Sequence, residues 1–286
     1  MKEAFRGCEF MAINATDSPN LSQATDLSRM FVICKQIETA DLSNWDTSTI
    51  TNMSAMFNLS RFNGNISTWD VGNVTNFKGM FKSATRFNQD ISQWNIGEFV
   101  TGFIDMSEMF QSALNFNQSL NTWDVSKADR MHFMFDRALR YNQPMNNWDV
   151  SNVIFMNEMF DGARDFNQDL SSWDISTVDT FVNFLTGSAM SQQNYDNTLI
   201  GWATIDAGET GLQTNVRFDA DATYCLAFDA REALTSAPYN WDITDGGQSC
   251  GIFLAAKVYL QGAMLQHTDG LMRTDLNDNN LVSSFS

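Results

Sequence analysis

The chain reads as an α/β solenoid: a coil of about seven rungs made of short strands and short helical turns, closed by a non-repeating C-terminal segment. Three observations lead there. Trp45, Trp69, Trp94, Trp123, Trp148 and Trp173 are spaced by 24, 25, 29, 25 and 25 residues. A Met-Phe pair follows each of them but the last, at Met56-Phe57, Met80-Phe81, Met109-Phe110, Met134-Phe135 and Met159-Phe160. A period near 25 is too short for two full helices per repeat, which take about 33 residues or more.

The unit runs W-D-V-S-x-V-x-x-M-x-x-M-F-x-x-A-x-x-F-N-Q-x-I-S, nearly unbroken from Trp148 to Ser172. Its Val-x-x-Met-x-x-Met-Phe-x-x-Ala stretch has the spacing of a short helix or tight turn. Phe-Asn-Gln-x-Ile-Ser reads as extended chain, where the stacked strand is expected. Ala4-Phe5 and Met30-Phe31 extend the series upstream, and Phe184-Leu185 is its last, degenerate copy. The 29-residue spacing holds four extra residues within Gly97–Gly102. One copy cannot bury enough apolar surface to offset its ordering entropy, so neighbours must cover its two open faces.

The Trp, Met and Phe columns are core by this pattern. Asn63, Asn88, Asn117, Asn142 and Asn167 form a column suited to an internal ladder, its amides satisfying backbone groups where each coil turns. Asp46, Asp70, Asp124, Asp149 and Asp174 follow the Trp column, with Asn95 in the third copy. They read as caps of the next turn; a calcium ladder is the alternative.

Residues 1–188 form the repeat region. Residues 189–251 lose the period and are expected to cap the open end, with Leu226–Leu234 as a short helix. Residues 252–286 are a tail or the start of a further domain: Phe253–Leu260 is a strand candidate. Asp275–Asn280 begins like a calcium loop but lacks the turn glycine and the closing Glu.

With 17 Lys+Arg against 34 Asp+Glu the formal charge is −17, which argues against nucleic acid and against anionic lipid surfaces. An apolar share of 43% is too high for a disordered acidic chain. No apolar run is long enough to span a membrane, so direct membrane insertion is not expected. The first residues carry no apolar stretch after their charges, and the chain starts inside a repeat. An export signal is therefore expected upstream.

Catalytic framing is lacking. His132 and His267 are the two histidines, and G-x-S-x-G, H-E-x-x-H, C-x-x-C and a P-loop are all absent. No catalytic residue, cofactor or metal ligand is assigned. Cys225 and Cys250 are expected to form a disulfide in the cap, whereas Cys8 and Cys34 stand in the column held elsewhere by Ala84, Ala113, Ala138 and Ala163 and read as small core residues. A candidate binding strip comes from the variable positions. Arg86, Asn115, Arg140 and Arg164 lie between the Ala and Phe columns, with Gln89, Gln118, Gln143 and Gln168 alongside. Such a strip could steer an acidic partner such as a uronate-bearing glycan. Two structural alternatives stand beside it, and both are the stronger readings: the arginines offset neighbouring acids such as Asp90 and Asp165, and the glutamines form an amide ladder.

The stretch MNEMFDGARDFNQDLSSWDISTV resembles the repeat of the BspA-like surface proteins, a divergent leucine-rich-repeat group of mycoplasma lipoproteins and of Listeria and Bacteroidota surface proteins. The resemblance covers about residues 4–188, and Ala4-Phe5-Arg6-Gly7-Cys8 looks like the A-F-x-G-C step of the broader family. Asn194–Asn197 through Thr244–Cys250 resembles the closing segment of Bacteroidota members. The resemblance implies a leucine-rich-repeat-like fold, export, display at the cell surface on longer chains, and no catalytic residues. Function is then expected to be non-catalytic recognition or adhesion, binding protein or glycan through a solenoid face. The alternative is a structural spacer or assembly subunit of a larger surface complex; a polysaccharide hydrolase ranks last.

Overall fold

The computed structural model describes residues 1–13, 17–206 and 211–250. The chain divides into a unit over Met1–Gln248 and a second over Ser249–Ser286. The tail from residue 252, with its strand candidate and its calcium-like loop, lies outside the described residues.

Each Met-x-x-Met-Phe stretch is a run of tight turns. Alternate N–H groups bond back within the rung, Met30 to the Leu27 carbonyl and Cys34 to that of Phe31, at 3.2 Å each. The N–H groups between them reach the following rung: Arg29 to Ser54 (2.9 Å), Phe31 to Met56 (2.8 Å) and Ile33 to Asn58 (3.0 Å). This alternation needs a left-handed residue at every fourth position, and Arg29 and Ile33 supply it at φ 57° and 63°. Ala55 and Leu59, Glu108 and Ser112, and Glu158 and Gly162 repeat the pair in other rungs. A left-handed residue breaks α-helix, so of the short helix or tight turn expected over this stretch it is the turn that forms.

The stacked strand also lies elsewhere than expected. Isolated parallel bridges link Asp26, Asn52, Asn76 and Asp105 in series, then Arg130, Phe155 and Thr180. Between these series, β1 (Ile104–Asp105) pairs in parallel with β2 (Ala128–Arg130). All of these sit just before the first apolar residue of the turn run. The Phe-Asn-Gln segment is stacked instead by side-chain amides.

The core is a set of ring columns along the stack. Phe31, Phe57, Phe81, Phe110, Phe135 and Phe160 are fully buried, with consecutive centroids 5.5–5.6 Å apart. Each contributes about 2–3 kcal/mol by burial. The indoles of Trp69, Trp94, Trp123, Trp148 and Trp173 each donate to a carbonyl of the preceding coil, at 2.8–3.1 Å. A buried indole N–H is thereby satisfied in each of these five rungs.

Of residues 189–251, expected as a non-repeating cap, the described part carries the parallel ladder further. The strand β3 (Phe181–Leu185) pairs with β4 (Arg217–Ala220), which pairs with β5 (Asp242–Thr244), all parallel. Helix α1 (Gln192–Trp202) connects β3 to β4, and α2 (Phe228–Thr235) connects β4 to β5. Trp202 ends α1 and donates to the Leu170 carbonyl at 3.0 Å, the bond that the Trp column makes below it. Asp196 on α1 is buried and accepts the N–H groups of Cys225, Leu226 and Ala227, fixing the entry to α2. Cys225 and Cys250 are disulfide-bonded, as expected. Cys34 is a buried free thiol that burial pushes up to about 11, whereas Cys8 is free and exposed. Cys8 was expected in the core; it belongs to the terminal rung, whose outer face no coil among the described residues covers.

Candidate functional site

Two features place the variable residues. In the rungs of Ala84, Ala113, Ala138 and Ala163 the buried Ala and aromatic columns anchor the ends of a four-residue turn, closed by a hydrogen bond from the aromatic N–H to the Ala carbonyl. Phe87 bonds to Ala84, Phe116 to Ala113 and Tyr141 to Ala138, at 3.0, 3.1 and 3.0 Å. The two residues between are turned outward, giving Thr85-Arg86, Leu114-Asn115 and Leu139-Arg140 on successive rungs.

These turns line an open groove of about 790 Å³, together with Glu38, Asn63 and Asn88. Its floor is half-buried: Thr85, Leu114, Asn115 and Leu139. Its charges are the exposed Arg86 and Arg140 and the half-buried Glu38. Asn115 is fixed by its Nδ2 donating to the Thr85 carbonyl at 2.7 Å. Arg86 pairs with Glu38, two rungs away in the stack. Arg140 makes no ion pair among the described residues, so its guanidinium is available to a ligand.

Of the expected strip, Arg86, Asn115 and Arg140 therefore meet in one groove. Arg164 stands one column over, in register with Leu139, and is not among the groove's lining residues. Asp165 takes the arginine column in that rung, its N–H bonded to the Leu139 carbonyl at 3.0 Å.

The glutamine row is engaged inside the fold. The Asn63 Oδ1 accepts the Asn88 N–H at 2.8 Å and the Gln89 Nε2 at 3.2 Å. The same double acceptance recurs at Asn88 with Asn117 and Gln118, at Asn117 with Asn142 and Gln143, and at Asn142 with Asn167 and Gln168. Asn167 passes the ladder to Ser191 and Asn194 at the start of α1. One amide oxygen per rung thus satisfies two donors of the next.

The aspartates after Trp make local turns. Asp46, Asp124 and Asp149 each accept both the N–H and the Oγ of the serine two residues on. Among the described residues no three carboxylate, imidazole or thiol side chains converge on a point that could hold a metal ion. His132 is half-buried, and burial holds its imidazole below the ordinary value.

One groove residue escapes the sequence pattern. Glu38 fills the position of the Asn column in its rung, bonding the Asn63 N–H through its main-chain carbonyl at 2.9 Å. Reading rungs by column rather than by motif would have found it.

No curated protein matches the chain, and no solved structure does. A family model does, in two tandem copies over residues 1–103 and 99–198, and they meet at the four-residue insertion. The chain belongs to the family described as "Mycoplasma protein of unknown function, DUF285".

Proposed function

We propose that this chain is a non-catalytic recognition or adhesion module, displayed outside the cell, that binds a glycan or protein through the groove at Arg86, Asn115 and Arg140. In this proposal the stacked coil is a leucine-rich-repeat-like solenoid of the BspA-like group, as its repeat motif resembles. The disulfide at Cys225 and Cys250 supports an oxidising, exported setting. Ligand-binding grooves on solenoids gain by register: equivalent residues on successive rungs repeat a contact at fixed spacing.

The carrying observation is the groove itself. It gathers two arginines on a chain of charge −17, and Arg140 has no ion pair among the described residues. A cationic groove on an acidic surface repels most acidic partners at long range and admits those with a matching local charge pattern.

The test is retention on an array of surface glycans and extracellular proteins. Wild type should be retained by at least one class, and the triple variant Arg86→Ser, Asn115→Ser, Arg140→Ser should lose that retention with an unchanged melting temperature. No retention of wild type, or equal retention of the folded variant, would contradict the proposal.

A further inference from the structure

Resting on the groove's role in recognition, we infer that its ligand is a carboxylate-bearing polysaccharide of the uronate class, and that Glu38 occupies the ligand carboxylate's place on Arg86 in the free chain. The argument starts from the amide ladder. In four successive rungs, from Asn63 to Asn142, the column residue is Asn and its side chain is held by two donors of the next rung. Glu38 stands at the head of that column, but there the main-chain carbonyl takes the Asn63 N–H. The Glu38 side chain is freed from the ladder and crosses the groove, past the Asn63 rung, to the Arg86 Nη1.

The groove therefore contains a carboxylate bound to its own arginine. Both side chains reach solvent, 49% exposed for Arg86 and 39% for Glu38. An exposed pair of this kind is weak and is displaced by a competing carboxylate that makes a second contact. Arg140 offers that second contact, two rungs further on. Between them Asn115 provides a neutral amide, held in place by the Thr85 carbonyl.

Spacing disfavours an extended peptide as the occupant. The aromatic residues that anchor these turns, Phe87, Phe116 and Tyr141, have centroids 5.7 and 5.9 Å apart along the stack. An extended peptide turns successive side chains to opposite faces, so its same-face side chains recur about every 6.6–6.8 Å and drift out of register with the rungs. A uronate polymer lying along the groove would set a carboxylate at Arg86, a sugar at Asn115 and a further carboxylate at Arg140.

The experiment measures binding of the full chain to polygalacturonate at low and physiological salt, with poly-glutamate and neutral dextran as comparison polymers. Wild type should bind polygalacturonate more tightly than poly-glutamate, ignore dextran and weaken as salt rises. Glu38→Gln should tighten polygalacturonate binding severalfold, and Arg140→Ser should weaken it severalfold, with melting temperatures unchanged. Tighter binding of poly-glutamate than of polygalacturonate would overturn the glycan assignment. Wild-type binding that Glu38→Gln leaves unchanged or weakens would overturn the stand-in role while the groove's recognition role survives. If none of the polymers binds to wild type or to Glu38→Gln, the inference fails, and the array experiment decides separately whether the groove recognises anything.

Discussion

Tyr141 stands in an aromatic column that is otherwise Phe, at Phe62, Phe87, Phe116 and Phe166, and its buried hydroxyl has no hydrogen-bond partner among the described residues. Burial pushes its pKa up. A hydroxyl desolvated without a partner is a net cost, so Tyr141→Phe should stabilise the fold by about 1 kcal/mol in urea denaturation. A loss of stability would mean that the hydroxyl has a partner after all. A second unfavourable group is Asp136, which is buried, accepts from Gln111 Nε2 at 2.6 Å and has its other oxygen 3.7 Å from Arg137. Burial, and after it the charges of neighbouring acids including Asp136, raises the pKa values of Glu158 and Asp161. Their folded-state values then exceed their unfolded ones, so they favour folding in acid and oppose it as pH rises through the folded values. Asp136→Asn removes a like charge from this ladder and should stabilise the chain at pH 7 by up to about 1 kcal/mol. The difference should shrink as pH falls through the carboxylate range; a gap that widens toward acid would reverse the assignment.

At the scale of one rung, the turn run and the amide ladder hold consecutive coils together. Asn88→Ala would leave the Asn117 N–H without its acceptor, at 2.9 Å in the native chain, and would leave the Gln118 amide only the Asn88 main-chain carbonyl, at 3.2 Å. The expected cost is about 2–3 kcal/mol, read from the urea midpoint. Ile33 is half-buried and β-branched at φ 63°, a position that Gly7, Gly162 and Gly187 fill in other rungs. Ile33→Gly should gain about 1 kcal/mol from relief of that strain, even after the greater unfolded-chain entropy of glycine. Trp, Met-Phe and Phe-Asn-Gln spacings made the columns legible because each column is a repeated burial demand. The conformation between them was not legible, since the left-handed positions hold Arg29, Ile33, Ala55, Leu59 and Glu108 and few of them are Gly. Their φ is imposed by the N–H groups that must reach the next rung, a tertiary demand without a local signature. The bridge residues Asp26, Asn52, Asn76 and Arg130 likewise carry no strand preference. Asn115, Arg86 and Arg140 were legible as the unconstrained positions between buried columns, whereas Glu38 was hidden by occupying an Asn position.

Across the whole molecule, the ladder that starts as isolated bridges ends as the three-stranded sheet β3-β4-β5, where the intervening coils are long enough to form α1 and α2. Trp202 and the Trp241-Asp242-Ile243-Thr244 stretch echo the repeat at wider spacing, which is why a search for a period of 25 lost them. The disulfide closes a loop of this closing region and should contribute about 3 kcal/mol by restricting the unfolded chain. Cys225→Ser should lower stability by that order in urea, and a non-reduced digest should recover the two half-cystines on one linked peptide. Recognition through the groove is the central claim, and hydrogen exchange with and without a ligand retained from the array tests it most directly. Added protection is expected over residues 85–88, 114–117 and 138–141, the turns that line the groove, and little elsewhere. Protection confined instead to the turn runs, where Lys78 and Lys82 both pair with Glu108, with the groove exchanging as in the free chain, would contradict the account.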